Sequence, residues 1–493
     1  MTNATNHTAE ARMTPVLADS APADVSAACS AAADAAVELG ESLRSERSVF
    51  LHELANELER HREAIEGVAA IETSLSASRL SAEMTRTVKQ ARLFADVLDD
   101  GGYLEAAIDH ATPTTPDTRL TRIPLGPVAV FGASNFPLAF GVPGGDTVSA
   151  LAAGCPVVVK GHPGHPQTSR LAFEAIQRAA TTSGMPPGTI ALVTGIEAGR
   201  NLVLDPHIQA VGFTGSTAAG RILFDLASAR PSPIPFYGEL GSLNPVVVTA
   251  AAALARTSGI AATLASSISG SAGQLCTKPG LIFIPYGAGD ALVAALTELL
   301  DAAPALTMLN DGIQQRFTQS VGAWKAAEAV SVLVDGKQGG SAGPHLISVD
   351  IGRLTGPLLD EAFGPAAVIV RYETQEQVVA ALQSVGGQLT TSLLFDDAEA
   401  DKLGSIAQAM KGRSGRLVFN DIPTGVAVAW SMTHGGPYPA TTNSAHTSVG
   451  SAAIKRWLRP VTFQNAPEAV LPPELREGSR SIPRRINGSL TTS

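Results

Sequence analysis

From Gly126 to Ala227 short apolar runs alternate with stretches of helical pattern, and glycine, proline or serine marks the junctions. Gly126-Pro-Val-Ala-Val-Phe131 reads as a buried strand, followed by the turn-rich loop Gly132-Ala-Ser-Asn-Phe-Pro137. A helix around Gly145 to Ala153 leads to a second buried run, Cys155-Pro-Val-Val-Val-Lys160. Strand, helix and strand within about forty residues make a crossover unit, which pairs its strands in parallel because a hairpin turn is absent. The pattern continues through a helix from Thr168 to Thr182, strand Ile190 to Val193, a short helix from Gly199 to Leu204 and strand Ala210 to Phe213. Gly215-Ser-Thr-Ala-Ala-Gly220 then opens a helix running through Ala227. Such an order folds as a doubly wound α/β sheet. The glycine spacing matches the start of a P-loop, but Arg221-Ile222 stand where Lys and Ser/Thr are required, which excludes that nucleotide site.

A second stretch bears on chemistry: Gly270-Ser-Ala-Gly-Gln-Leu-Cys276-Thr-Lys-Pro-Gly280. Small neighbours let a substrate and backbone approach the sulfur, and Pro279-Gly280 turn the chain into the apolar run Leu281 to Ile284. A free cysteine in this setting is either a buried structural thiol or a nucleophile. Cys29, in a helical pattern, and Cys155, at the start of a buried strand, read as structural.

At 493 residues the chain is long enough for two or three domains. Its net charge of −10, without a dense basic stripe, argues against nucleic-acid binding. Three widely spaced cysteines with no CxxC argue against a disulfide framework and a zinc site, and suit a reducing compartment. The first 23 residues are polar, lack a signal-peptide core and are expected to be disordered. Val246 to Ser269 carries Arg256 and many small polar residues, so it reads as strand plus buried helix and no membrane span is expected. The expected location is the cytoplasm. Asp24 to Asp99 reads as amphipathic helices without assigned chemistry, Thr112 to Pro124 as an extended ribbon, and Trp457 to Gln464 as one extended strand. The tail beyond Pro467 reads as irregular.

Six short pieces occur in order: Phe131-Gly-Ala-Ser-Asn135-Phe-Pro, Cys155-Pro-Val-Val-Val-Lys160, Gly212-Phe-Thr-Gly-Ser216-Thr, Glu239-Leu-Gly, Gly273-Gln-Leu-Cys276 and Glu361-Ala-Phe-Gly-Pro. Together they resemble the aldehyde dehydrogenase superfamily over residues 30 to 465. Val159-Lys-Gly-His-Pro-Gly-His-Pro and the stretch from Val428 through His434-Gly-Gly-Pro-Tyr-Pro-Ala440 resemble its 2-oxoglutarate semialdehyde (2,5-dioxopentanoate) dehydrogenase branch. The resemblance implies a disordered N-terminus (1–23), a Rossmann-type NAD(P)-binding domain (24–240) with an oligomerisation ribbon near 112–125, an α/β catalytic domain (241–440), and a C-terminal oligomerisation strand and tail (441–493).

It further implies that Cys276 is the nucleophile, carrying a thiohemiacetal and then a thioester as the aldehyde is oxidised. Asn135 and the backbone N–H of Cys276 would hold the oxyanion, and Glu239 would activate water, its pKa expected to be raised by burial. For the cofactor, Lys160 would reach the adenine-side ribose. Gly215, Ser216 and Gly220 would form the pyrophosphate loop at a helix N-terminus. Glu361 would hold the nicotinamide ribose, with Phe363 beside it. The family's usual acidic residue three positions after the lysine is missing here, where Gly161-His162-Pro163 follow. Lys160 or His162 could therefore take a 2′-phosphate, with Arg200 as a further partner, so NADP is expected, NAD being the alternative. The spaced His162 and His165 lack further ligands, so no metal is expected. The expected substrate is 2-oxoglutarate semialdehyde, against a broad aliphatic or fatty aldehyde. A non-catalytic nucleotide-binding protein of this fold is the reading from another class. The expected assembly is a homo-dimer or homo-tetramer.

Overall fold

The computed structural model describes residues 18–336, 341–423, 425–479 and 482–491. Two parallel sheets and a smaller ribbon organise the chain. The first sheet has five strands in the order Ile190–Val193, Val157–Lys160, Val128–Phe131, Ala210–Thr214 and Phe236–Glu239, all parallel. The Val128–Phe131 strand is buried along its whole length, as a strand covered by helices on both faces must be. Strands follow one another outward from Val128–Phe131 in one direction and then in the other. A topological switch point therefore lies between the carboxyl ends of Val128–Phe131 and Ala210–Thr214.

The second sheet has seven strands, in the order Ser331–Val334, His345–Asp350, Ala366–Tyr372, Leu281–Pro285, Val246–Val248, Gln388–Leu394 and Ser414–Phe419. Only its first pair is antiparallel. The Val246 to Ser269 segment is strand plus helices, as its composition implies. The ribbon joins Leu458–Gln464, Thr118–Pro124, Ala107–Asp109, Arg484–Ile486 and Ser489–Thr491. The two last strands correct the expectation of an irregular tail. Their polar sequence hides a strand because its pairing partner, Ala107–Asp109, lies far back in the chain.

Four helices precede the first sheet: Pro22–Glu41, Arg44–Arg60, Arg62–Thr73 and Ala77–Asp100. The first starts just inside the segment expected to be disordered, and Ser20 N–H already bonds Thr194 O at 2.9 Å; residues 1–17 of that segment lie outside the described residues. Ala77–Asp100 begins at an N-cap serine, Ser76, and stops at Gly101, whose φ of 71° is a left-handed terminator. Leu80, Met84, Val88, Ala91 and Leu98 form its buried stripe.

After Phe419 the chain leaves the second sheet, and Val428, Ala453, Ile454 and Trp457 are buried in the core that surrounds the first. The boundary expected at 440 thus falls inside a segment that joins both halves. Trp457 donates from Nε1 to Ser149 Oγ at 2.8 Å, and its neighbour Arg456 places Nη2 2.7 Å from Asp146 Oδ1, both buried. Burial pushes the Asp146 carboxyl up, and Arg456 opposes that push. Replacing Arg456 by Met strands this carboxylate. The expected cost is about 3–5 kcal/mol of stability, read as a lower urea midpoint, with Asp146→Asn in the same chain recovering part of it.

Candidate active site

Loops from both edges of the switch point meet a loop from the second sheet. Glu239 ends the strand Phe236–Glu239 and is buried. His434, from the returning segment, is fully buried; its backbone N–H donates to Thr447 Oγ1 at 2.8 Å and its carbonyl accepts from Ser448 Oγ at 3.1 Å. Its Nε2 lies 2.8 Å from Glu239 Oε1 and 3.4 Å from Cys276 Sγ. Ser448 Oγ donates to the other Glu239 oxygen at 2.6 Å. Sulfur and carboxylate thus share the one ring nitrogen Nε2, while Nδ1 is buried with no hydrogen-bond partner among the described residues. These three ligand atoms lie within 4.8 Å of one another, compact enough for a zinc ion, although such an ion would consume the thiolate.

The expectation for Glu239 is corrected here. Burial presses its pKa upward, but the charge and hydrogen bond of His434 and the Ser448 hydroxyl outweigh it and hold the carboxyl below its ordinary value. Cys276 goes the other way. Burial, then the charges of Glu239 and Glu361, push its thiol well above the ordinary range, against Arg86 and Arg416. The resting residue is a thiol that needs a proton acceptor beside it.

The nucleophile loop is braced rather than roomy. Ser271, Ala272 and Gly273 hold φ of 52°, 53° and 66°, three left-handed residues in succession. A Cβ on Gly273 would lie 2.2 Å from the Gly364 backbone, so this glycine serves a close backbone approach. Asn244 donates from Nδ2 to the carbonyls of Cys276 (2.8 Å) and Lys278 (3.0 Å). Gln388 Oε1 in turn accepts from the Asn244 amide at 3.0 Å. Lys278 Nζ donates to Ala366 O at 2.6 Å, tying this loop to the one that carries Glu361. Asn135 is buried, with its Nδ2 donating to Gln274 O at 3.0 Å, two residues before the cysteine. Its loop is fixed by Glu83 Oε1, which accepts from the amides of Leu138 (2.8 Å) and Ala139 (2.9 Å). Helix Ala77–Asp100, to which the sequence assigned no chemistry, therefore shapes the site.

Across the switch point Gly215 and Ser216 are exposed at the start of helix Thr217–Ser228, where Ser216 Oγ caps the Ala219 amide at 3.3 Å. The Gly215 amide already donates to Glu239 O at 3.0 Å, so it is the amides beyond it, at the positive end of the helix, that suit a pyrophosphate. Gly220 sits one turn in, buried; a Cβ there would be 2.3 Å from Leu240, so it packs helix on sheet and does not face a phosphate. Glu361 Oε2 would be 2.7 Å from a Cβ on Gly241, so the missing side chain leaves room for this carboxyl. Burial pushes Glu361 up and Lys278 down, each opposing the other's shift. Phe363 is half-buried against the core of the second sheet. These residues fit a dinucleotide.

At the adenine end Lys160 closes strand Val157–Lys160, its pKa lowered by burial against the opposing charge of Asp19. Asp19 supplies a carboxylate that the sequence around Lys160 does not: its Cγ would be 2.7 Å from a Cβ on Gly195. His162 accepts the Gly164 amide on Nδ1 at 3.0 Å and stacks on His165, ring centroids 5.3 Å apart. Burial, then His165 and Lys160, depress its pKa well below the ordinary value. The expectation of His162 as a phosphate-binding cation is therefore corrected: it is a neutral imidazole. Arg200 lies 3.9 Å from Glu197 on an exposed helix face. Cys29 and Cys155 are buried, with burial raising both thiols, as structural cysteines.

His434 and Asn244 carry functions that single residues in the sequence do not announce. The signal for His434 lay in the Val428 to Ala440 stretch, and Asn244 lies in Ser242-Leu-Asn-Pro245, which follows Glu239-Leu-Gly directly.

Known proteins give a consistent picture. An alpha-ketoglutaric semialdehyde dehydrogenase of Acinetobacter baylyi is 40% identical, covering 95% of this chain and 91% of its own length. Alpha-ketoglutaric semialdehyde dehydrogenase 2 of Azospirillum brasilense is 42% identical, with coverages of 96% and 93%. Among solved structures, a 1-pyrroline-5-carboxylate dehydrogenase from Thermus with bound NAD superposes with a TM-score of 0.78 at 19% identity, covering 91% of this chain and 86% of that one, a likeness of fold. The profile of the aldehyde dehydrogenase family matches residues 4–459, so with these relatives the chain belongs to that family and is an aldehyde dehydrogenase.

Proposed function

We propose that this protein oxidises 2-oxoglutarate semialdehyde to 2-oxoglutarate, using NADP in preference to NAD, with the charge of Lys160 as the ground for that preference and Asp19 opposing it. The line from Cys276 Sγ through His434 Nε2 to Glu239 Oε1, at 3.4 and 2.8 Å, carries the chemical reading. The named activity of the two relatives, over nearly their whole lengths, supports the substrate.

With His434 Nε2 unprotonated, its lone pair accepts the thiol proton, and the N–H so formed donates to the Glu239 carboxylate, which faces the same nitrogen. The thiolate attacks the aldehyde carbon, forming a C–S bond and leaving an oxyanion. Asn135, oriented by Gln274 O, and the Cys276 amide are the donors for that charge. Nicotinamide, when bound, supplies the acceptor for hydride. The adduct is thereby oxidised to a thioester on Cys276. Glu239, ionised through the neutral range, takes a proton from water, whose oxygen attacks the thioester carbon. The acid leaves and the thiolate returns. Ser216 and the amides beyond Gly215 would hold the pyrophosphate, Glu361 the nicotinamide-side ribose and Lys160 the adenine-side ribose and its 2′-phosphate. A broad aliphatic specificity draws support from Phe136, Phe140 and Met432, which cluster beside the site.

The homo-oligomer reading rests on the ribbon, in which Leu458–Gln464 is an edge strand among the described residues. Light scattering distinguishes dimer, tetramer and monomer. Among the described residues no helix is long and apolar enough to cross a membrane. The cytoplasmic reading rests on the free cysteines.

Three outcomes test the reading. Cys276→Ala abolishes reduced-cofactor formation, whereas Glu239→Gln gives one burst per site and then turnover slowed by at least about 10²-fold; quench-flow reads both. Glu239→Gln also removes a charge that raises the Cys276 pKa, so iodoacetamide alkylation of the free enzyme rises with pH over a lower range than in wild type. An unmoved profile would show that the sulfur does not feel this carboxylate. Initial rates with NADP exceed those with NAD, and Asp19→Asn widens the ratio several-fold because a carboxylate near Lys160 opposes a phosphate. A wild-type preference for NAD removes the cofactor assignment.

A further inference from the structure

Two arginines near the nucleophile have guanidinium nitrogens with nothing to bond. Arg86 projects from helix Ala77–Asp100, its Nε donating to Val426 O at 3.1 Å. Arg416 projects from strand Ser414–Phe419, its Nη1 donating to Gly425 O at 3.0 Å. Consecutive carbonyls of one loop thus hold both groups, which come from opposite ends of the chain. The remaining nitrogens, Nη1 and Nη2 of Arg86 and Nε and Nη2 of Arg416, are buried without a hydrogen-bond partner among the described residues. Buried polar groups of this kind are rarely left unpaired, least of all charged ones.

Of the neighbouring carboxylates, Glu83 and one oxygen of Glu239 are already engaged, while Glu239 Oε1, beside His434 Nε2, has no hydrogen-bond partner among the described residues. Glu83 is held by Arg79 at 2.6 Å and by two backbone amides, and the engaged Glu239 oxygen by Ser448. Both arginines lie against the apolar cluster that borders His434. Arg86 sits over the Phe140 ring, 4.9 Å from its centroid, and Phe140 lies 6.3 Å from the His434 ring, which reaches Cys276 Sγ. Arg416 lies 3.9 Å from Met432 Sδ in the same apolar cluster. Each arginine also feels the sulfur's charge. Two planar cations with N–H groups unpartnered among the described residues, beside an apolar cluster, suit a carboxylate with an adjacent carbonyl oxygen.

We propose that Arg86 and Arg416 form the subsite for the distal 2-oxo acid group of the substrate, holding its carboxylate and keto oxygen while the aldehyde end meets Cys276. The assignment rests on the substrate reading given above. It makes these two arginines specificity-determining residues, because an uncharged aldehyde leaves their nitrogens unpaired.

The test compares kcat/KM for 2-oxoglutarate semialdehyde and for pentanal in wild type, Arg86→Gln and Arg416→Gln. Both arginines also favour the thiolate, but a loss common to all aldehydes cancels in the ratio of the two values. Each substitution is expected to lower the ratio at least roughly tenfold, the scale of a charge-assisted hydrogen bond. In parallel, 2-oxopentanoate, which has the oxo acid end and no aldehyde, inhibits pentanal oxidation, and each variant weakens its inhibition constant to a similar degree. If wild type does not prefer the semialdehyde yet both variants weaken 2-oxopentanoate, the substrate reading falls and the anion subsite stands. If wild type prefers the semialdehyde and neither quantity changes in the variants, the arginine assignment is overturned while the substrate reading stands. Where a Gln variant does not fold, the Lys variant keeps the charge without the fork and is read in the same way, with a fall of several-fold expected and no fall overturning the assignment.

Discussion

A carboxylate buried at the end of a strand must find partners, and Glu239 finds them in residues almost two hundred positions later. Its contacts with His434 and Ser448 close the returning segment onto the first sheet. The nucleophile comes from a different sheet, so the reactive line exists only because both halves are locked together. Without His434, burial alone would drive Glu239 toward its neutral form and leave the thiol without a proton acceptor.

The remaining architecture holds that line in register. Asn244 and Lys278 pin the cysteine loop by its carbonyls, and Gly273 lets the backbone at Gly364 pass close behind it. Left-handed backbone at Ser271 and Ala272 is a cost of this geometry, and a dense network around Gln388 and Asn244 holds it in place. On the other side, Glu83 fixes the Asn135 loop through two amides, so that loop is oriented by a helix.

Much of this was legible in the sequence, for identifiable reasons. The Val-rich runs at Val128–Phe131 and Val157–Lys160 announce a doubly covered sheet, since no other environment tolerates them. Cys276, Glu239 and Asn135 were legible through ordered short motifs. What stayed hidden depends on contacts across long separations. The strands at Arg484–Ile486 and Ser489–Thr491 are polar and take their identity from a partner. Arg86 lies on a helix whose pattern shows an ordinary amphipathic surface, and nothing local distinguishes a solvated arginine from one facing a pocket. The neutral state of His162 and the ionised state of Glu239 are likewise set by neighbours and not by residue type.

The position of His434 has a consequence for biosynthesis. Cys276 is made first, and its proton acceptor follows some hundred and sixty residues later, with Ser448 later still. A chain emerging from the ribosome therefore carries Cys276 without the burial, the imidazole and the carboxylate that surround it in the folded protein. The meeting of Cys276, His434 and Glu239 exists only once the returning segment docks, so it belongs to the whole fold and to no part of the chain made earlier.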